Sequence, residues 1–490
     1  MSGRGGEERA PRRALLCIAA LMALRAVVAA RAPLAFDEAY YWLWSKSLAA
    51  GYLDHPPLIA YVIRLGTTIF GDTPLGVRAG PLALLIGATW AVWRSGALLL
   101  RSEGGGATAA LFFNVTLMSG TVGLAATPDS PSMAAAAFFV LALAQVVATE
   151  RPAWWLAAGA AAGFALLSKY TAPFLGVGAL LWLCVSPRER RWLRSPWPYL
   201  GAALALVMFA PVIVWNATHG WISIAWQFGR VVTRSFSLRY LGDFVAGQLG
   251  LATPFILVLG LAGVIGIVAT EARRRAPILL IAALLAPATA YFLWHSFHSR
   301  VQGNWPSFLY PAFCIAAAWP GQWGGLAARL VRFSRAAAVP TAVVVTLGVY
   351  LHTFWPLVSL PRSLDPVARI LAVGYGPIVE EVEVLRRQTG AKGIVTTNYA
   401  QTGWLAFYLP SRIRVVELTE RDRWHQEAPP APEMMAGPVI YVTESWRDLK
   451  EAVAQRFARI TLLARISRLR GDAVVEDYLV YRADGGRDSR

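Results

Sequence analysis

The sequence predicts an α-helical polytopic membrane protein with a small C-terminal α/β domain outside the membrane. Three observations predict it. Of 490 residues, 56% are hydrophobic and only 15% are charged, and the mean hydropathy is +0.47. Apolar runs of roughly 18 to 22 residues recur, enough for a helix to cross a hydrocarbon core, and about eleven such spans can be counted. After residue 357 the hydropathy falls, and short β-like runs alternate with helical ones.

Residues 1–13 are polar and basic, a cytoplasmic tail. Residues 14–30 form the first span, read as an uncleaved anchor rather than a signal peptide because many spans follow and Arg25 interrupts the apolar run. Residues 37–50 read as a helix with acids in the first turn and Gly51 just past the end. Tyr41, Trp44 and Leu48 share one of its faces. Residues 57–70 are too short to span and carry Arg64, so they should lie along the membrane surface, with a turn at 71–74. The further spans are 79–100, 107–125, 132–148, 153–167, 172–185, 197–215, 253–270, 277–294, 307–319 and 336–355. Gly159 and Gly163 form a small-xxx-small pattern that allows close helix packing. In the C-terminal part, 393–397, 413–418 and 439–443 read as strands, 378–388 as a helix, and Pro429, Pro430 and Pro432 as a loop. The expected domains are therefore 1–356, with a first outer loop at 33–78, and 357–490.

The formal net charge is +17, but its distribution argues against nucleic acid. Arg94 and Arg101, the group Arg188, Arg190, Arg191 and Arg194, the run Arg273–Arg275, and Arg329, Arg332 and Arg335 all fall on one side if the N-terminus is inside. That is how orientation signals are placed. Four segments then face outward: 36–58, 126–131, 216–240 and 295–306. Cys17, Cys184 and Cys314 lie in or beside spans without a CxxC pair, so neither a disulfide framework nor a zinc site is implied.

The chemistry concentrates in FDEAYYWLWSKSLAAGYLDHPPL, residues 36–58, which reads as the active-site loop of a membrane enzyme. Asp37 and Glu38 open its helix. Asp37 could cap that helix or serve as a general base. Asp129, in the TPDSP turn, arrives on the same side and carries the same two readings. Asp54 and His55, fixed by Pro56 and Pro57, could form a surface turn, contact a phosphate or ligate a metal; His219, His295 and His298 share their side, but no metal-ligand spacing appears. Lys169, in SKYTA beside Tyr170, could snorkel to the interface or hold a lipid phosphate, and Arg300 offers the same service. In VQGNWP, Gln302, Asn304 and Trp305 could bond and stack on a sugar ring.

The first outer loop through GVR at 76–78 resembles that of bacterial members of the protein mannosyltransferase and aminoarabinose transferase superfamily. TPDSP, GFALLSKYTA, PVIVWNATHGW and VQGNWPSFLYP resemble further segments of that family, in the same order, from about residue 14 to 355. The resemblance implies a GT-C fold. It implies inverting transfer of a sugar from a polyprenyl-phosphate donor to a glycolipid, polysaccharide or protein acceptor. It places the active site and C-terminal domain on the periplasmic face of a bacterial inner membrane. Asp37 then matches the catalytic acid of the first loop and Asp129 the second important acid, with Glu38 assisting. Asp54-His55-Pro56-Pro57 stands where the aminoarabinose transferases have Glu-Lys-Pro-Pro, a departure that argues against that sugar. No cofactor is required on this reading, although Asp54 and His55 leave a divalent metal possible. A lipid or sugar transporter is the alternative, predicting more mid-span charges than Arg25 and Arg94 supply. A polymerase or ligase moving whole glycans is a third reading.

Overall fold

The computed structural model describes residues 4–229, 236–271, 277–358, 360 and 364–486. In chain order the first helices are α1 (Arg4–Arg31), α2 (Phe36–Lys46), α3 (Leu58–Phe70), α4 (Pro74–Leu100), α5 (Glu103–Val115), α6 (Asp129–Thr149), α7 (Trp154–Ser168) and α8 (Pro173–Val185). They continue as α9 (Trp197–Thr218), α10 (Ile222–Gly229), α11 (Leu238–Ala252), α12 (Pro254–Gly266), α13 (Leu279–Ser296), α14 (Tyr310–Ala318) and α15 (Gly325–Phe354). The chain forms two compact units. One comprises Met1–Ala29, Asp54–Ile59 and Arg78–Gly348; the other comprises Ala30–Leu53, Ala60–Val77 and Val349–Arg490.

The first unit is helical and apolar. Among the described residues, six helices are long and apolar enough to cross a bilayer: α1 over Pro11–Arg31, α4, α6, α9, α13 and α15. Helices α11 and α12 qualify only as a pair, bent by 103°, and α3, α7, α8 and the segment Trp305–Ala318 are apolar but shorter. Small residues set the packing. A Cβ on Gly159 of α7 would stand 2.1 Å from the carbonyl oxygen of Gly201 on α9, so the two backbones touch there, as small-xxx-small spacing allows.

Two elements differ from expectation. The span expected at 107–125 breaks: α5 stops at Val115, and a π-helical turn at Met118–Val122 follows. Arg25 sits at this break. It is fully buried, and its guanidinium donates to Asn114 Oδ1 at 2.8 Å and to the Asn114 carbonyl. A cation on the last turn satisfies orphan carbonyls and complements the helix dipole. The loop expected at 216–240 contains α10 and the start of α11. Arg239, Asp243 and Gln248 dilute the hydropathy of α11, which hides it from an apolar-run search.

The second unit adds α16 (Pro366–Ile370), α17 (Gly376–Thr389), α18 (Tyr399–Tyr408), α19 (Pro432–Ala436) and α20 (Lys450–Ala454). Its strands are β1 (Ile394–Thr396), β2 (Val415–Glu417), β3 (Val439–Glu444), β4 (Phe457–Arg470) and β5 (Ala473–Gly486). They form one sheet in the order β2-β1-β3-β5-β4. β1 is parallel to β2 and β3, and β5 runs antiparallel to β3 and β4. The parallel strands are buried on both faces, which is why they are continuous apolar runs that sequence reading finds. At the N-cap of α16, Asp365 accepts the Val367 and Ala368 amides at 2.9 and 3.1 Å and pairs with Arg470 at the end of β4. Burial pushes the Asp365 carboxyl up, but the Ala368 amide, Arg470 and His352 outweigh it and hold it below the usual range.

Helix α2 belongs to this second unit, packed on α18 at a glycine. A Cβ on Gly403 would lie 2.9 Å from the Tyr40 amide nitrogen and 3.0 Å from the Ala39 carbonyl carbon. Around that crossing, Tyr40 meets Tyr399 and Trp424 at ring distances of 4.8 and 5.3 Å, and Trp42 meets Phe407 at 5.0 Å. The strand before α2 is tied down as well: Ala35 bridges Leu371, and Leu34 donates to the Tyr408 hydroxyl at 2.7 Å and accepts from Trp404 Nε1 at 3.2 Å. The helix ends at Lys46, short of the expected residue 50; Tyr41 and Trp44 are buried, but Leu48 lies beyond its end and is exposed.

Candidate active site

Asp129 is the centre of the best-defined polar cluster. It opens α6, a 21-residue apolar helix, so its carboxylate sits at the positive end of the helix dipole. Three side chains from two other segments converge on it. Lys169 Nζ donates to Oδ1 at 2.6 Å, Ser307 Oγ to the same oxygen at 2.6 Å, and Asn304 Nδ2 to Oδ2 at 2.7 Å. The local structure explains the convergence. Lys169 follows the last turn of α7 in extended conformation (φ −155°, ψ 142°), which turns its side chain away from the helix axis. Asn304 and Ser307 flank the start of a 3₁₀ turn over Trp305–Leu309, and three residues per turn put positions three apart on one face. Asp129 is 2% exposed and Lys169 5%. A buried ion pair survives only when further hydrogen bonds satisfy its lone pairs, and Ser307 and Asn304 supply them.

Asp37 is placed differently. It lies in the first turn of α2, but Ala35, not Asp37, is the N-cap. Its carboxylate is half-buried, and its Oδ1 accepts from the Tyr399 hydroxyl at 3.3 Å. Glu38 turns back to the helix start. It is 1% exposed, and its Oε2 accepts the Ala35 amide at 2.8 Å, completing a capping box. Asp37 therefore belongs to the second unit and Asp129 to the first.

The remaining expected residues are dispersed. Asp54 is buried, and its carbonyl accepts from Gln227 Nε2; His55 is half-buried. The Tyr170 hydroxyl shares a 2.7 Å hydrogen bond with Ser223. Arg300 and Gln302 are exposed, and the Gln302 carbonyl accepts the Trp305 amide at 3.0 Å. The Trp305 ring lies 5.9 Å from His295 and 6.5 Å from Phe292. Of the three histidines expected on this side, His219 stacks on Trp215 at 4.2 Å, and His298 Nδ1 bonds the Trp294 carbonyl at 3.0 Å. Among the described residues, no three His, Cys, Asp or Glu side chains group as metal ligands. Sequence reading missed Ser307 and Tyr399. Ser307 was within reach, three positions after Asn304 in the same turn, whereas Tyr399 lies 362 positions from Asp37 with no local signal.

Comparison with known proteins agrees with this architecture. Residues 54–215 match the family model described as dolichyl-phosphate-mannose-protein mannosyltransferase. The chain is 26% identical over 372 residues to the lipid A galacturonosyltransferase RgtD of Rhizobium johnstonii, covering 74% of this chain and 75% of that protein. Its fold matches ArnT from Cupriavidus metallidurans bound to undecaprenyl phosphate, with a TM-score of 0.63 at 16% identity over 95% of this chain and 97% of that one. The apo state of the same enzyme gives 0.60, with the same identity and coverage. The chain is thus a multi-span membrane protein with the GT-C fold, similar in sequence to glycosyltransferases of the protein mannosyltransferase and aminoarabinose transferase-like superfamily.

Proposed function

We propose that this enzyme moves a single sugar, with inversion, from a polyprenyl-phosphate donor to an acceptor hydroxyl of a cell-envelope glycolipid, polysaccharide or protein at the periplasmic face of the inner membrane. The observation that carries the assignment of roles is a contrast between two carboxylates. Both Asp129 oxygens already accept donors within 2.7 Å, and the group is buried. Protonating it would break an ion pair in a low-dielectric setting. Asp37 is only half-buried, so an acceptor hydroxyl can approach it as a general base.

In the proposed reaction the acceptor oxygen attacks the anomeric carbon, its proton passes to Asp37, the carbon–oxygen bond to phosphate breaks, and polyprenyl phosphate leaves. Asp129, with Asn304 and Ser307, holds Lys169. An ammonium has three N–H donors; Asp129 takes one, leaving others for a phosphate oxygen. His55, Tyr170 and Arg300 remain donor-side candidates, with Asp54 beside His55, and Gln302, Asn304 and Trp305 sugar-side candidates. A monophosphate leaving group met by cations requires no metal. RgtD acts on lipid A by its description, which favours a lipid acceptor. Arg25, buried within the first span, is engaged with the end of α5, which speaks against its lining a charged transport path.

The test is transfer in lipid nanodiscs with a synthetic undecaprenyl-phosphate sugar, read by mass spectrometry of the acceptor. Asp37→Asn is expected to fold and to lose at least ~100-fold in kcat, the general-base contribution. A folded Asp37→Asn variant transferring at the parent rate overturns the mechanism, and a product carrying a whole glycan overturns the single-sugar reading.

A further inference from the structure

The C-terminal unit does more than fold beside α2: it delivers a side chain to the carboxylate proposed as base. We propose that Tyr399 is a positioning residue for Asp37, held by a chain of contacts that runs back into the central sheet. The inference rests on the reading of Asp37 as the base.

The contacts start at β3. Glu444, at its C-terminal end, accepts from Asn398 Nδ2 at 2.7 Å. Asn398 is the N-cap of α18, its Oδ1 accepting the Gln401 amide at 2.9 Å. Tyr399 is therefore the first helical residue after a fixed cap, just beyond the C-terminal end of the parallel strand β1. Open α/β sheets place their functional side chains at that edge. From there the hydroxyl reaches Asp37 Oδ1 at 3.3 Å. The ring is gripped from several directions. Phe36 lies edge-on at 6.2 Å, Tyr40 is 4.8 Å away, and the Arg423 guanidinium stands 4.7 Å from the ring centroid. Arg423 is itself anchored by Glu420 at 3.0 Å, which also pairs with Arg447 at 3.2 Å.

The electrostatic consequence follows from these positions. A cation over the ring face draws electron density from the phenol and strengthens its hydroxyl as a donor. A hydrogen bond to the ionised carboxylate favours that form and fixes the orientation of the carboxylate toward the acceptor. The separation is long for a hydroxyl–carboxylate bond, as catalytic hydrogen bonds often are before substrate closes the site. Of the neighbouring charged groups, Glu38 caps its own helix, and Arg421 and Asp422 share the turn that carries Arg423.

The experiment is the pH profile of kcat for the full-length enzyme in nanodiscs, compared for the parent, Tyr399→Phe, Arg423→Met and Asp37→Asn. Tyr399→Phe keeps the ring and removes only the hydroxyl. It is expected to lower kcat about tenfold at unchanged donor KM and to move the acid limb up by about one pH unit, because a lost donor favours the protonated carboxyl. Arg423→Met should shift the limb the same way by about half as much, and it decides the matter if Tyr399→Phe fails to accumulate. A parent-like rate and profile for Tyr399→Phe beside an inactive Asp37→Asn removes the positioning role and leaves the base intact. A fully active Asp37→Asn removes both.

Discussion

Replacing Lys169 by Met tests the Asp129 cluster directly. The substitution keeps the side-chain length and removes the cation, leaving a carboxylate that is 2% exposed with only Ser307, Asn304 and the α6 amides to stabilise it. Uncompensated buried charges cost about 3–5 kcal/mol. Asp129→Asn strands the ammonium at the same order of cost, while the double variant carries no charge to strand. The cycle therefore predicts a coupling of at least ~2 kcal/mol, with the double variant more stable than the sum of its singles. Cys314 offers a readout. It is fully buried in α14, close in sequence to the 3₁₀ turn at 305–309, whereas Cys184 is exposed. Thermal unfolding in detergent, followed by a thiol-reactive fluorophore, should show a drop of roughly 3–5 °C for Lys169→Met. Singles that add in the double variant, or a Lys169→Met variant unfolding with the parent, would refute the claim that these groups form one buried network.

Three further outcomes are expected. Gly403→Val would put a Cβ 2.9 Å from the Tyr40 amide nitrogen and so force α2 away from α18. It should cost about 1–3 kcal/mol in unfolding measurements, and it should lower kcat more than a stability loss of that size explains, because α2 carries Asp37. Glu383 is held at about 2, first by Arg386 and then, against burial, by Arg387 and Ser411. Its folded value lies below the ordinary 4.5, so its contribution is present above about 4.5 and lost as pH falls toward 2. Glu383→Gln should accordingly be less stable than the parent at neutral pH, with the gap closing over that acid range in denaturant titrations. EDTA at millimolar concentration should leave the transfer rate unchanged, and a rate restored only by added divalent cation would count against the metal-free scheme.

Much of the architecture is written locally. Long apolar runs, arginine-rich loops and the alternation of short strands with helices come from chemistry repeated along the chain, so hydropathy and charge alone reveal them. The buried parallel strands β1, β2 and β3 are legible for the same reason. The hairpin β4–β5 is not. β4 is an edge strand, largely exposed and rich in arginine, and register shifts near Leu462–Ala464 and Arg468–Leu469 break its period of two. Likewise α5 reads as part of a full span because nothing in its composition announces the break that Arg25 caps from 89 positions away.

Among the candidate residues, the sequence by itself determined which side chains are candidates for the chemistry: the acids Asp37 and Asp129, and Lys169 at the end of a span. Only the tertiary structure decided their partners. Lys169 and Asp129 are 40 positions apart and Asn304 lies another 135 beyond, yet the three meet because α6, α7 and the 3₁₀ turn pack in one unit. Asp37 meets Tyr399 because α2 packs on α18 through Gly403 rather than standing alone as a loop. Hydrogen bonds and ion pairs act over about 3 Å, and which groups come that close is settled by packing, not by their distance along the chain.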